Sequence, residues 1–245
     1  MAEKHAERLR CHRGCSACCV DDLTVFAVDD ATGALSSLAT TPVGSDPIAV
    51  VADPTGRFLY VANHGSDTLS TFAIDSVTGL LNEVGSPLAT AGGPRAIAAA
   101  PSGRFLYVTL QDTNAVEVFS VDSETGALTF LDSRTTGTEP IALAVDPFGR
   151  FVFTVDHDVG GLGDVSVYSS DPLTGTLTFV ERVLAGVNPI AASVSPSGRI
   201  LYVANETSDD VTIFSIHPKT GHLTFGATVP AGTAPSAITV SGTLR

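Results

Sequence analysis

Residues 48–74, which read IAVVADPTGRFLYVANHGSDTLSTFAI, decide the fold of this chain. The stretch opens with a short apolar run, 48–52, followed by the turn Asp53-Pro54-Thr55-Gly56. Proline presets φ in such a turn, and glycine accepts a positive φ. A second run rich in β-forming residues, 58–62, comes directly after it. This order predicts two antiparallel strands joined by a tight turn.

The second half of the stretch adds a third strand, and a fourth follows it. After the polar loop 63–67, residues 69–74 show the partial alternation of a half-buried strand. A Thr78-Gly79 turn then leads to a weaker apolar run near 80–84. The stretch and the residues up to 84 therefore predict one four-stranded antiparallel unit.

The unit returns along the chain with a period of 46 to 49 residues between its turn arginines. Three markers repeat: the turn arginine, the glycine of the Thr-Gly turn, and a loop proline. They are Arg57, Arg104, Arg150 and Arg199; Gly33, Gly79, Gly126, Gly175 and Gly221; and Pro47, Pro94, Pro140, Pro189 and Pro235.

A period in the middle forties with four strands per unit is typical of propeller blades. One blade is too small to bury its own faces, so neighbouring blades must stack around a channel. The sequence therefore predicts an all-β protein, a β-propeller of four-stranded antiparallel blades.

The repeated pattern resembles the lactonase family of β-propellers. It runs proline, apolar strand, P-S-G-R-F-L-Y-V-A-N, polar loop, V-x-V-F-x-I-D and x-x-T-G-x-L-T, and it extends over about residues 22–240. The family is related to 6-phosphogluconolactonase of the propeller type and to the YVTN-repeat proteins of bacteria and archaea. The resemblance implies a propeller fold, usually with seven blades, and makes lactone hydrolysis the activity to examine.

We call the four strands of a blade a to d, from the channel outwards. The chain enters at a strand c, completes four units and leaves after one more strand a, so we expect the two ends to share a closing blade. Two interpretations stay open, a five-bladed propeller or a truncated seven-bladed form. The blade units lie near 47–86, 94–133, 140–182 and 189–228, with 21–40 and 235–240 in the closing blade.

Composition limits the domain count and the partners. The 245 residues suffice for one core, and no linker interrupts the repeats, so 21–245 is expected to be one domain. The formal net charge of −13 argues against nucleic acid and anionic membranes as partners, because both would be repelled. No apolar run approaches the roughly 18 residues that span a bilayer.

Residues 1–20 lie outside the repeat. They lack the apolar core of a secretory signal, so the chain is expected in the cytoplasm. They carry a cluster of cysteines, Cys11, Cys15, Cys18 and Cys19, which resembles cysteine-cluster proteins thought to chelate zinc or iron. These thiolates could bind Zn²⁺ or an Fe–S cluster, with His12 as an alternative ligand. The other interpretation is a remnant that binds no metal, and the propeller itself requires no cofactor.

Blade geometry sorts the connections onto two faces. The a-to-b and c-to-d turns form the turn face, where the repeated arginines are expected to pair with nearby turn carbonyls or carboxylates. The d-to-a and b-to-c connections form what we call the loop face, which varies between blades and should hold any function. Candidate ligand-binding residues there are Asp46, Asn63, Gln111, Glu139, Asn188 and Asn205.

Lactonase chemistry needs a base and a cation near the developing oxyanion. The resembling family has motifs like G-P-R-H before strand a and N-E after strand b of one blade. Here Gly93-Pro94-Arg95 matches three of the first four positions, with Ala96 in place of the histidine, while Asn205-Glu206 lies two blades away. The candidate catalytic residues are Arg95, Glu206, His64 and His157.

Two function classes follow from these residues. One is hydrolysis of a sugar lactone or related small ester at the channel mouth. The alternative is a non-catalytic propeller that binds a ligand or a protein on its loop face, or an inactive truncated relic. The loop 156–164, DHDVGGLGD, holds three carboxylates of the kind that Ca²⁺ favours, but it matches a complete calcium motif poorly, so an ordinary solvated turn is the preferred interpretation.

Overall fold

The computed structural model describes residues 21–157 and 161–240, and all regular secondary structure in these ranges is β. Nineteen strands follow one another within these described ranges. The first seven are β1 (Asp22–Val28), β2 (Leu35–Pro42), β3 (Pro47–Ala52), β4 (Phe58–Asn63), β5 (Thr68–Ile74), β6 (Leu81–Glu83) and β7 (Leu88–Ala89). The next four are β8 (Pro94–Ala99), β9 (Phe105–Leu110), β10 (Ala115–Val121) and β11 (Leu128–Thr135). The last eight are β12 (Pro140–Val145), β13 (Phe151–Asp156), β14 (Leu162–Ser170), β15 (Leu177–Val187), β16 (Pro189–Val194), β17 (Ile200–Asn205), β18 (Asp210–Ile216) and β19 (Leu223–Pro230).

The strands form four antiparallel blades and one smaller sheet. Blade 1 contains β3 to β7, blade 2 β8 to β11, blade 3 β12 to β15 and blade 4 β16 to β19, each meandering in chain order. The smaller sheet pairs β1 with β2. The inner strands β3, β8, β12 and β16 contact one another in that order. The all-β propeller fold predicted from the repeat is confirmed.

Alternating side chains of each strand b pack against the two neighbouring sheets. Phe58, Tyr60 and Ala62 lie in a buried cluster shared with blade 2, whereas Leu59 and Val61 lie in a cluster shared with β1. Two further clusters join blade 2 to blade 3 and blade 3 to blade 4. Because strand b is covered on both faces, all six residues of β4 are buried.

Three of the turn arginines pair with turn carbonyls, as expected from the sequence, and these carbonyls belong to the next blade. Arg57 donates to the carbonyls of Ser123 and Glu124 in the Thr-Gly turn of the next blade, at 2.9 and 3.2 Å. Arg104 and Arg150 donate to the corresponding turn carbonyls one blade further on. Each guanidinium also lies over the phenylalanine that follows it in sequence. These arginines hold blades together, which supports a structural role.

The glycines of three Thr-Gly turns pack against an aromatic ring of the preceding blade. A Cβ built on Gly126 would lie 2.4 Å from the ring of Phe58, and one on Gly175 would lie 2.5 Å from Phe105. Gly126 also has a positive φ of 77°. Both the close approach and the backbone conformation therefore require glycine.

The structure differs from the sequence prediction at two places. Residues 235–240 form no strand, and among the described strands β1 pairs only with β2, so the predicted closing blade is not formed there. The outer strand of blade 1 is divided into β6 and β7, because Gly85 takes a positive φ of 67° between them. Within the described ranges no helix is long and apolar enough to cross a membrane.

Candidate functional site

An equivalent backbone hydrogen bond joins the two sets of connections on the loop face in each complete blade. The first residue after strand b donates its N–H to the carbonyl of the residue before the strand-a proline. These bonds join His64 to Asp46 at 2.9 Å, Gln111 to Gly93 at 2.9 Å, His157 to Glu139 at 3.1 Å and Glu206 to Asn188 at 2.8 Å. Seven of the ten candidate residues therefore meet in pairs at equivalent positions of the four blades.

The residue before the proline has a left-handed backbone conformation in every pair. Its φ is 50° in Asp46, 48° in Gly93, 49° in Glu139 and 58° in Asn188. Non-glycine residues rarely adopt this region, and they do so mainly where surrounding contacts fix them. This conformation places the carbonyl of the residue before the proline where it accepts the N–H that follows strand b. The proline then begins strand a.

Two of the pairs bring a histidine to a carboxylate. His157 Nδ1 lies 3.3 Å from Glu139 Oε2, and both side chains are partly exposed. His64 Nδ1 lies 3.8 Å from Asp46 Oδ2. A carboxylate that accepts the Nδ1 proton leaves Nε2 as an acceptor, which is the arrangement of a histidine base. The closer contact makes His157 and Glu139 the better-formed dyad.

In blade 4 the side chains of the pair, Asn188 and Glu206, are hydrogen-bonded to each other. Asn188 Nδ2 donates to Glu206 Oε2 at 2.6 Å. The same contact orients the Glu206 carboxylate and occupies one of its oxygens. Glu206 is therefore well placed to bind a ligand hydroxyl but less suited to act as a free base.

Blade 2 differs from its neighbours because it combines glycine with a cation. Gly93 precedes Pro94, and Arg95 follows as the second residue of β8, where the other inner strands have Ile48, Ile141 and Ile190. The Cβ of a larger residue at 93 would lie 2.7 Å from the carboxylate carbon of Asp112. Arg95 is half-buried, and its strand β8 lies between β3 of the His64 blade and β12 of the His157 blade.

Two predicted ligand-binding residues lie in the packed interior instead. Asn63 and Asn205 are both 0% exposed, at the ends of their b strands. Asn205 Nδ2 donates to Asp210 and Thr212, and its Oδ1 accepts the Gly186 N–H at 3.1 Å. Asn63 makes the equivalent side-chain bonds in blade 1. Their amides hold the loops from inside and are not available to a ligand in this structure.

The remaining predicted sites are only partly covered by the structure. Cys11, Cys15, Cys18 and Cys19, and Asp158 of the 156–164 loop, lie outside the described residues. Asp156 is buried and accepts hydrogen bonds from Gly137, Thr154 and Ser166. Over the ranges that are described, no group of three or more His, Cys, Asp or Glu residues is placed to hold a metal ion.

One residue of this region, Glu117, was not predicted from the sequence. It lies in β10, is 5% exposed, and burial raises the pKa of its carboxyl group. Its equivalents in the other blades are Ser70, Ser166 and Thr212. A comparison of the four c strands would have shown it, since it is the one acidic residue at that position.

The strand order and the four blades define a protein of the β-propeller class, and a family profile shows which family of propellers it belongs to. The profile described as "Lactonase, 7-bladed beta-propeller" matches residues 9–93, 48–145 and 141–240. The chain therefore belongs to the lactonase family of β-propellers. No curated protein matches it.

Solved structures share the fold at low sequence identity. A suspected 6-phosphogluconolactonase from Bacteroides uniformis aligns with a TM-score of 0.81 and 18% identity, over 88% of this chain and 67% of that one. A second, from Bacteroides fragilis, aligns at 0.80 and 21%, over 89% and 67%. A periplasmic gluconolactonase from Pseudomonas aeruginosa aligns at 0.73 and 24%, over 86% and 64%. The chain thus spans about two thirds of the length of these proteins.

Proposed function

We propose that this propeller hydrolyses a sugar lactone or a related small ester at its loop face. The observation that carries the proposal is the His157–Glu139 dyad, with its 3.3 Å contact, one blade away from Arg95. Membership of the lactonase family supports the same reaction class. The gluconolactonase names belong to proteins at most 24% identical, so the particular lactone rests on this proposal alone.

The chemistry assigns one role to each group. Glu139 accepts a hydrogen bond from the Nδ1–H of His157, which keeps this proton, and His157 Nε2 takes a proton from water as the water oxygen attacks the lactone carbonyl carbon. Arg95 stabilises the negative charge that develops on the carbonyl oxygen. When the ring C–O bond breaks, the departing oxygen receives the proton from His157. The product is the open-chain hydroxy acid.

The test is a lactone assay by proton release, with the spontaneous rate subtracted. Gluconolactone and 6-phosphogluconolactone are suitable substrates. We expect His157→Gln to lower kcat/KM by about 10²–10⁴-fold, the usual contribution of a general base. Arg95→Ala is expected to lower it by about 10²–10³-fold.

A matched control is available on the turn face. His222 Nδ1 lies 2.9 Å from Glu181 Oε2, so it forms a histidine–glutamate pair of the same chemistry away from the loop face. His222→Gln should leave hydrolysis unchanged. Activity that survives both His157→Gln and Arg95→Ala would refute this site. No hydrolysis above the spontaneous rate would favour a non-catalytic binding propeller.

A further inference from the structure

The residue before four of the five loop prolines is held by the preceding sheet as well as by its own blade. Its N–H donates to the side chain of an Asp or Asn that stands immediately before strand c of that sheet. These bonds join Asp46 to Asp21 at 3.0 Å, Gly93 to Asp67 at 2.6 Å, Glu139 to Asn114 at 2.7 Å and Ala234 to Asp209 at 2.7 Å.

The same Asp or Asn accepts a second hydrogen bond with its backbone carbonyl. The donors are the N–H groups three residues before the first donors, namely those of Val43, Thr90, Thr136 and Ala231, at 2.8–2.9 Å. Asp67, Asn114 and Asp209 have φ values of 53°, 52° and 55°. Asn and Asp adopt this left-handed region more readily than other side chains do, which accounts for the choice of residue. We call the two bonds together the inter-blade clamp.

The clamp of Asn114 holds the histidine–carboxylate dyad of blade 3. Asn114 Oδ1 accepts the Glu139 N–H, and Glu139 in turn contacts His157 twice. The Glu139 carbonyl accepts the His157 N–H at 3.1 Å, and Glu139 Oε2 lies 3.3 Å from His157 Nδ1. A continuous series of polar contacts therefore leads from blade 2 to the proposed base.

The connection that ends in Asn114, residues 111–114, also contacts the loop that precedes Arg95. The Gln111 N–H donates to the Gly93 carbonyl at 2.9 Å, and Arg95 follows two residues later on β8. One four-residue connection is therefore bonded on one side to this Arg95 loop and on the other side to the dyad.

We propose that Asn114 is a positioning residue for the lactone site: by clamping Glu139 from blade 2, it sets the distance between the His157–Glu139 dyad and Arg95. The reaction needs the base beside the lactone carbonyl carbon and the cation beside its oxygen, so this distance must suit a single carbonyl group. The inference deepens the proposed function and rests on it for the roles of His157 and Arg95. The clamp itself does not depend on any activity.

The test replaces Asn114 by glycine, which keeps the left-handed backbone but removes the acceptor side chain. Exchange of the Glu139 amide should become about tenfold faster, the size expected for one lost hydrogen bond. The His157 amide should also exchange faster, because its acceptor is the Glu139 carbonyl. The Thr136 amide should keep its rate, since it donates to the backbone carbonyl of residue 114.

In the lactone assay, Asn114→Gly should lower kcat by about 10–10²-fold and change KM little, because a misplaced base weakens the transition state more than substrate binding. Asn114→Asp keeps an acceptor oxygen, as in the other three clamps. It should retain the wild-type exchange rates and the wild-type kcat.

Asp209→Gly is the matched control, because the clamp of Asp209 has the same two bonds, at 2.7 and 2.8 Å. It should accelerate exchange at Ala234. Exchange at Glu139 and His157, and kcat, should stay at their wild-type values.

Two results would overturn the proposal. One is unchanged exchange at Glu139 in Asn114→Gly. The other is faster exchange at Glu139 with unchanged exchange at His157 or unchanged kcat, which would make Asn114 merely structural. If Asn114→Gly does not fold, Asn114→Ser, with its shorter side chain, decides by the same readouts. If the wild-type chain hydrolyses no lactone, the proposed function fails, and exchange at Glu139 and His157 still decides whether Asn114 positions the dyad.

Discussion

At the scale of a single residue, the carboxyl group of Glu117 shows how burial disfavours a negative charge. Because folding raises the pKa of this carboxyl group, the neutral form is favoured in the folded state. Its contribution to stability is full below about pH 4, the range of an unfolded glutamate, and is lost as pH rises towards the folded pKa. Glutamine stays neutral over the whole range.

We therefore expect Glu117→Gln to match the wild type near pH 4 and to exceed it in free energy of unfolding at pH 7. Urea unfolding across this pH range measures the difference between the two proteins. A difference that does not grow with pH would show that Glu117 is ionised in the folded state without penalty.

Asp53, in the turn of blade 1, has a lowered pKa, whereas the pKa of Glu117 is raised. Burial alone would raise its pKa, but hydrogen bonds from Thr55, Phe58 and Arg57 outweigh burial and lower it. The stability that it contributes is therefore present above about pH 4 and is lost as pH falls through the lowered pKa.

Replacing Asp53 by asparagine should lower the free energy of unfolding at pH 7 by about 1–3 kcal/mol, the value of hydrogen bonds to a charged group. The deficit should shrink as the solution is acidified below pH 4. Glu83→Gln, an exposed carboxylate on β6, is the control for loss of one charge. A deficit that stays constant with pH would contradict the role of the ionised carboxylate.

At the scale of elements, two glycines of the Thr-Gly turns allow the cost of backbone strain to be distinguished from the cost of a steric clash. Gly126 and Gly33 have similar φ values, 77° and 70°, but only Gly126 faces a ring, since a Cβ on Gly33 meets nothing within 4 Å. Alanine at either position should lower the free energy of unfolding by about 1–2 kcal/mol, because its Cβ disfavours a positive φ. At Gly126 the overlap with Phe58 adds about 1–3 kcal/mol.

Thermal or urea unfolding of Gly126→Ala and Gly33→Ala should therefore show the larger loss at 126. Equal losses would mean that Phe58 moves aside at little cost, and that the turn does not lock blade 1 to blade 2.

Local patterns in the sequence predicted the strands of blade 1, but they did not predict which loop residues meet. The runs 48–52, 58–62 and 69–74 correspond to β3, β4 and β5, because period-2 patterning and turn glycines are local signals. The pairing of His157 with Glu139 is not local: it depends on a left-handed residue before a proline and on one backbone bond between two loops. Likewise, the burial of Asn63 follows from a glycine loop packed over it, which the polarity of asparagine does not reveal.

At the scale of the whole molecule, four separate apolar clusters join the sheets in chain order, so each sheet depends mainly on its neighbours. Blades 2 and 3 have a complete blade on either side, whereas the sheet of β1 and β2 packs through Leu23 against blade 1. In such arrays stability is close to a sum of units and nearest-neighbour interfaces. Hydrogen exchange under mild denaturant should therefore protect β9, β10 and β13 most, and 231–240 least.

Leu106 tests this nearest-neighbour description, because it is 0% exposed in the cluster that joins blades 1 and 2. Leu106→Ala should lower the free energy of unfolding by about 2–5 kcal/mol. Exchange should accelerate most in β4, β9 and β10 and least in β17 and β18. Leu35→Ala, at a leucine that is 65% exposed, should change neither. If Leu106→Ala instead accelerates exchange equally in all four blades, the molecule unfolds as one cooperative unit, and the Arg95 loop cannot be loosened without loosening every blade.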